Sequence, residues 1–209
     1  MTINYNVQAD VIDIRNDTPK PEDVFLVDTN VWYWLTYTRA SLADSPPRSY
    51  QVNDYPSYVS KALAAKSQLL RCGLSLAELA SLIERTELEV FAKASGFDKA
   101  KRKEFRHNHP SERTGVVSEI EAAWSQVQAM AQIVDVQIDE AISDNALKRL
   151  STQPIDGYDL FLLESTTKAG VIKVITDDGD FVTVPGMQVF TSNHNAIATA
   201  KAAGKLLRR

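Results

Sequence analysis

Four stretches of this 209-residue chain put carboxylates where the surrounding pattern is apolar or where a helix begins. VFLVDTNVW places Asp28 directly after an apolar run and before Thr29 and Asn30. VIKVITDDGD does the same with Asp177, Asp178 and Asp180. SLAEL carries Glu78, and IDGYDLFLLEST opens with Asp156 and Asp159. A carboxylate is costly to bury unless it is paired or bound to a metal. In open α/β sheets, ligands bind outside the carboxyl ends of the strands, which is where Asp28 and the Asp177–Asp180 group fall if both apolar runs are strands. Should such acids meet at 4 Å, each pair would repel by about 4 kcal/mol at an effective dielectric near 20. A converging set therefore makes sense around a hard cation, and carboxylates with water suit Mg²⁺ or Mn²⁺.

Each acid also has a purely local explanation. Asp28 reads as a turn or N-cap acid before the next helix. Asp178-Gly179 between apolar residues is a type I′ hairpin signal. Ser75 and Glu78 have capping-box spacing. Asp156 reads as an N-cap, with Asp159 a first-turn acid favoured by the helix dipole.

The elements that would position these residues follow from periodicity. The all-apolar run at 24–27 reads as a strand buried on both faces of a parallel sheet. A helix is expected over 30–38 and a Pro-rich loop over 43–56. Further helices are expected over 58–72 (closed by Gly73), 75–94, 99–107, 111–132, 139–150, 155–169 and 193–207. Strands are expected at 171–176 and 188–191, with an extended stretch at 133–138. Residues 1–20 read as a loose arm before a single domain spanning 21–209. Strands separated by helices define an α/β class with a parallel sheet flanked by helices.

The order of these segments resembles the PIN domain, a family of metal-dependent nucleases that includes VapC-like ribonucleases. VFLVDTNVW is similar to its first-strand motif, LSLAELASLIE to its helical Glu motif, and DLFLLESTTKAGVIKVITDDGDF to its last block. The resemblance covers about residues 22–38, 74–90 and 150–195. It implies metal ligands at Asp28, Glu78, Asp159 and Asp178, with Asp180 beside them, the first four also catalytic. Asn30 and Thr176 match supporting polar positions, and Asp156 is the alternative third acid. The implied activity is endoribonuclease cleavage with Mg²⁺ or Mn²⁺, leaving a 5′-phosphate and a 3′-hydroxyl. A toxin restrained by a protein antitoxin is the commonest setting the resemblance suggests, a housekeeping RNA-processing role fits as well, and a homodimer is expected by the same analogy. Residues 39–73 and 92–132 read as helical elaborations of the compact PIN-like domain. Two alternatives stand beside this reading. One is a catalytically silent scaffold that binds RNA or protein. The other is an aspartate-nucleophile phosphatase, which would need a second Asp where this chain has Asn30.

The net charge of −4 argues against coating nucleic acid through bulk charge, yet Lys101, Arg102, Lys103 and Arg106 concentrate positive charge in one segment. That segment reads as a contact for RNA phosphates, a docking site for a protein partner, or a solvated helix. His107 and His109 lack further ligand partners for zinc. A single cysteine, Cys72, precludes an intramolecular disulfide and reads as a helix-end core residue. With no apolar leader and no membrane-length run, a cytoplasmic location is expected.

Overall fold

A computed structural model describes residues 3–135, 138–155 and 157–209. Asp156 therefore lies outside the described residues. The described chain forms one seven-stranded sheet, all parallel, flanked by helices. The strands are β1 (Asp10–Asp13), β2 (Val24–Val27), β3 (Gln68–Cys72), β4 (Gln132–Val134), β5 (Lys173–Ile175), β6 (Gln188–Thr191) and β7 (Leu206–Leu207). The helices are α1 (Thr29–Thr36), α2 (Ser49–Ala64), α3 (Gly73–Ser95), α4 (Arg102–Asn108), α5 (Pro110–Met130), α6 (Glu140–Thr152), α7 (Gly157–Lys168) and α8 (His194–Ala202). Across the sheet the order is β4-β3-β2-β5-β6-β1-β7.

The central strands β2, β5 and β6 are mostly apolar because both faces are covered, while β4 at the edge is largely exposed. Alternation divides their side chains between two cores. Phe25, Val27, Leu69, Ile175 and Phe190 face one core, with α1, α2, α3 and α5. Leu26, Leu70, Val174 and Val189 face the other, with α6, α7 and α8.

Three expectations are corrected. Residues 1–20 are not wholly a loose arm: Asp10–Asp13 lies between β6 and β7 in the sheet. Val11 and Ile12 are fully or almost fully buried there, a pattern too short to stand out from polar neighbours. The segment 43–72 is also divided differently. α2 runs through Pro56, and the burial of Tyr55, Tyr58, Val59 and Ala62 outweighs the amide that proline removes. The helix closes at Lys66, which adopts the left-handed φ of 64° without being glycine. The chain then enters β3 in the interior of the sheet, so the end of the supposed 39–73 elaboration belongs to the central framework, and Cys72 is a buried strand residue. Finally, the last helix stops at Ala202. Gly204, at φ 68°, turns the chain into β7 beside β1. No helix among the described residues is long and apolar enough to cross a membrane.

Candidate active site

Strand order changes direction between β2 and β5. From β2 the chain proceeds outward to β3 and β4; from β5 it proceeds the other way to β6. The crevice outside the carboxyl ends at such a switch point is where open α/β sheets bind ligands. Asp28 follows β2 there, and Thr176 follows β5. Val27 and Ile175 are register partners, and the Asp28 amide donates to the Ile175 carbonyl at 3.0 Å. The next residues of the two strands thus stand side by side.

Asp28 is 2 % exposed. It occupies the N-cap position of α1, but its side chain makes no capping hydrogen bond. The Thr176 hydroxyl instead donates to Asp28 Oδ2 at 2.6 Å. The same hydroxyl accepts from the Asp178 amide at 2.9 Å, so both its donor and acceptor directions are fixed. Burial pushes the Asp28 carboxyl up to about 7, Glu78 and Asp178 add negative charge in the same direction, and the Thr176 hydroxyl and Thr29 amide pull against them.

Glu78 sits six positions into α3. The helix begins at Gly73 after the N-cap Cys72, so Ser75 is already inside it and the capping box does not form. Ser75 Oγ lies 3.7 Å from Cys72 Sγ. Asp178-Gly179 is not a hairpin turn either, because β5 and β6 are parallel. Asp178 caps a short 3-10 turn, accepting from the Asp180 amide at 2.8 Å. Asp159 lies in the first turn of α7. That helix precedes β5 and packs against α3.

The structure separates Asp177 from Asp178. The Asp177 carboxylate accepts from Tyr55 at 2.7 Å, Gln51 at 2.6 Å and Tyr50 at 3.1 Å. It is an anchor between α2 and the sheet. Those three partners lie in or beside a stretch read as loop, so nothing in the sequence marked them. Tyr5 was also missed. Its ring packs on Gly179 so closely that a Cβ there would lie 2.1 Å from the phenol carbon and oxygen. Burial raises the Tyr5 hydroxyl, Asn195 lowers it, and Asp180, Asp178 and Asp177 raise it further, which places this ring beside the acids.

The donor set suits a hard cation in kind, since it offers oxygen ligands with accumulated negative charge. Among the described residues, however, no group of three or more His, Cys, Asp or Glu side chains is arranged to hold an ion. Electrostatic proximity links Asp28, Glu78 and Asp178; the described side chains do not close a coordination shell.

The basic segment is largely engaged within the protein. Arg106 and Arg113 hydrogen-bond the buried Glu84, and Arg102 lies near it. Lys101 pairs with Glu104. Lys93 and Lys99 share Asp44. Lys103 is exposed. A cavity of about 520 Å³ opens at the opposite, amino edge of the sheet, between Val24, Leu70, Gly170 and Lys173. It is not the space the acids face. No protein-family model matches the chain, and no curated protein matches it in sequence.

Proposed function

We propose that this chain is a PIN-like, metal-dependent endoribonuclease. The observation that carries the reading is the buried Asp28 carboxylate at the switch point, held by Thr176 and facing the charge of Glu78 and Asp178. Asp28, Glu78 and Asp178, with Asp159 and Asp180, would hold Mg²⁺ or Mn²⁺. Bound there, the ion would supply an activated water and offset charge on the phosphodiester oxygens.

The chain's own part is orientation. Thr176 fixes the Asp28 carboxylate, and the Asp178 amide fixes Thr176, so three backbone-anchored groups share one hydrogen-bonded path. Asn30, half-buried in the first turn of α1, is the polar side chain proposed to orient a phosphate. The toxin role, an antitoxin partner and a homodimer rest on the family resemblance alone.

A catalytically silent RNA- or protein-binding scaffold is the second reading, in line with the finding that no group of three or more His, Cys, Asp or Glu among the described residues is arranged to hold an ion. One experiment separates the two: incubation of a mixed RNA pool with Mn²⁺, with EDTA, and with an identically purified Asp28→Asn protein. Cleavage that requires both the metal and Asp28 is the expected outcome. Metal-independent cleavage, or cleavage that survives the substitution, would remove the proposed site.

A further inference from the structure

Glu84 is 5 % exposed and lies on α3, six residues beyond Glu78. Three arginines converge on it. Arg106 Nε donates to both carboxylate oxygens, at 2.7 and 2.9 Å. Arg113 Nη1 donates to Oε2 at 2.9 Å. Arg102 Nη2 stands 3.8 Å from Oε1, too far for a hydrogen bond. Among the described residues, these arginines share this one carboxylate in their ion pairs.

Neutralising Glu84 takes one guanidinium. The bidentate Arg106 contact already supplies it, so the other two leave an excess of positive charge. Like charges held together repel, and each guanidinium has five donors in a planar fork, most of them not used by Glu84. The three side chains remain 40–47 % exposed, so donors face solvent while Arg106 and Arg113 are braced by their bonds to Glu84. Bracing removes part of the side-chain entropy that a flexible cation would lose on binding. Residues 99–113 contain six Lys or Arg against two acids in a chain of net charge −4, so this positive charge is a local feature.

We propose that Arg106 and Arg113, braced on Glu84, form with the adjacent Arg102 a preformed contact for the phosphate backbone of single-stranded RNA. The choice of RNA over an acidic protein rests on the nuclease reading of the neighbouring acids. Glu78 and Glu84 are separated by about 9 Å along the α3 axis and by about 120° around it, so a polymer engaging both would have to curve over the helix.

The test uses the full chain with Asp28→Asn, in EDTA, and a fluorescently labelled single-stranded RNA oligonucleotide titrated at several salt concentrations. Arg102→Gln is the first variant, because Arg106 and Arg113 continue to satisfy Glu84 without it. Arg113→Gln is the second, Lys201→Gln on α8 is the control, and thermal melting checks that each folds. Each arginine variant is expected to weaken binding three- to tenfold and to lower the log–log salt slope by about 0.7, the value for one phosphate contact on a single strand. The control leaves both unchanged. No RNA binding, or binding whose salt slope ignores both arginines, overturns the proposal. Binding of a polyglutamate peptide that needs these arginines, with RNA indifferent to them, overturns it in favour of an acidic protein partner. Arginine-dependent RNA binding without any Mn²⁺-dependent cleavage by wild type would keep the contact and reject the nuclease reading.

Discussion

The Thr176 hydroxyl donates to Asp28 Oδ2 at 2.6 Å across adjacent parallel strands, while accepting from the Asp178 amide. Thr176 is fully buried, so neither bond competes with bulk water. This one hydroxyl fixes the orientation of the acid on β2 and the path of the chain after β5.

Replacing Thr176 with Val keeps the shape and removes the donor. An unsatisfied buried group costs about 1–3 kcal/mol, more where it is charged. Thr176→Val is expected to lower the urea midpoint at pH 8 and reduce Mn²⁺-dependent RNA cleavage at least tenfold. Thr176→Ser, which retains the hydroxyl, should recover most of both. Loss in Thr176→Ser with retention in Thr176→Val would show that packing of the methyl group, not the hydrogen bond, is what matters.

Burial and the negative charge of Glu78 and Asp178 push Asp28 up to about 7. An unfolded aspartate titrates near 3.9. The folded protein therefore holds a proton that the unfolded chain has lost, and folding is favoured most below about pH 4. That contribution falls as pH rises and is gone above about pH 7. In EDTA, the melting temperature is expected to drop between pH 5 and pH 8. Asp28→Asn should flatten that slope, and Mn²⁺ should raise the wild-type melting temperature most at pH 8, where the carboxylates are ionised. A wild-type slope equal to that of Asp28→Asn would mean Asp28 titrates normally.

Arg209 imposes the opposite pH sign elsewhere. Its guanidinium reaches Asp17 and Asp23, which are nearly fully buried, and lies 4.6 Å over the Phe190 ring. Burial would raise Asp23, but hydrogen bonds from Arg209 and Lys173 outweigh it and bring it down to about 2. Stability from this carboxylate is present above about pH 4 and is lost as pH falls toward 2. Arg209→Ala leaves buried acids short of a partner, a change that typically costs about 3–5 kcal/mol. Chemical denaturation at pH 7 should show a loss of that order, and acid unfolding should begin at higher pH than in wild type. A loss below about 1 kcal/mol would place the contact with weak surface pairs.

The central part of the fold was legible because its signals are local. The all-apolar VFLV and the acids after it mark buried parallel strands and their carboxyl ends, and β2 and β5 fall there. What the sequence hid depends on tertiary burial. β1 has two deeply buried residues among polar ones, and the turn at Lys66 uses a left-handed residue with no glycine to announce it. α2 carries a proline that local propensity rejects, although Tyr55 beneath it bonds Asp177, Thr191 and Ser192. The competing local explanations for Asp28 and Glu78 fail for geometric reasons: one acid does not cap α1, and the other lies too deep in α3 to join a capping box. No spacing rule distinguishes those outcomes before the strands are placed.

Asp177 and Asp178 are adjacent in sequence and differ in what surrounds them, so their substitutions should separate stability from activity. Asp177 accepts from Tyr50, Gln51 and Tyr55, which ties α2 to the end of β5. Burial, followed by the charge of Asp177, raises the Tyr55 hydroxyl far above its ordinary range, so at neutral pH it stays a donor. Asp177→Ala strands those donors, and a loss of about 2–4 kcal/mol is expected from the hydrogen bonds to a charged acceptor. Asp178 acts on Asp28 through its charge and accepts from the Asp180 amide as a cap. Its replacement by Asn keeps a capping oxygen and removes a repelling charge, so Asp178→Asn should change stability by less than about 1 kcal/mol while reducing cleavage at least a hundredfold. Denaturation midpoints and initial cleavage rates, measured on both variants, check the pair. If Asp177→Ala retained stability but lost cleavage, while Asp178→Asn kept it, the acid assigned to the site would be the wrong one of the two.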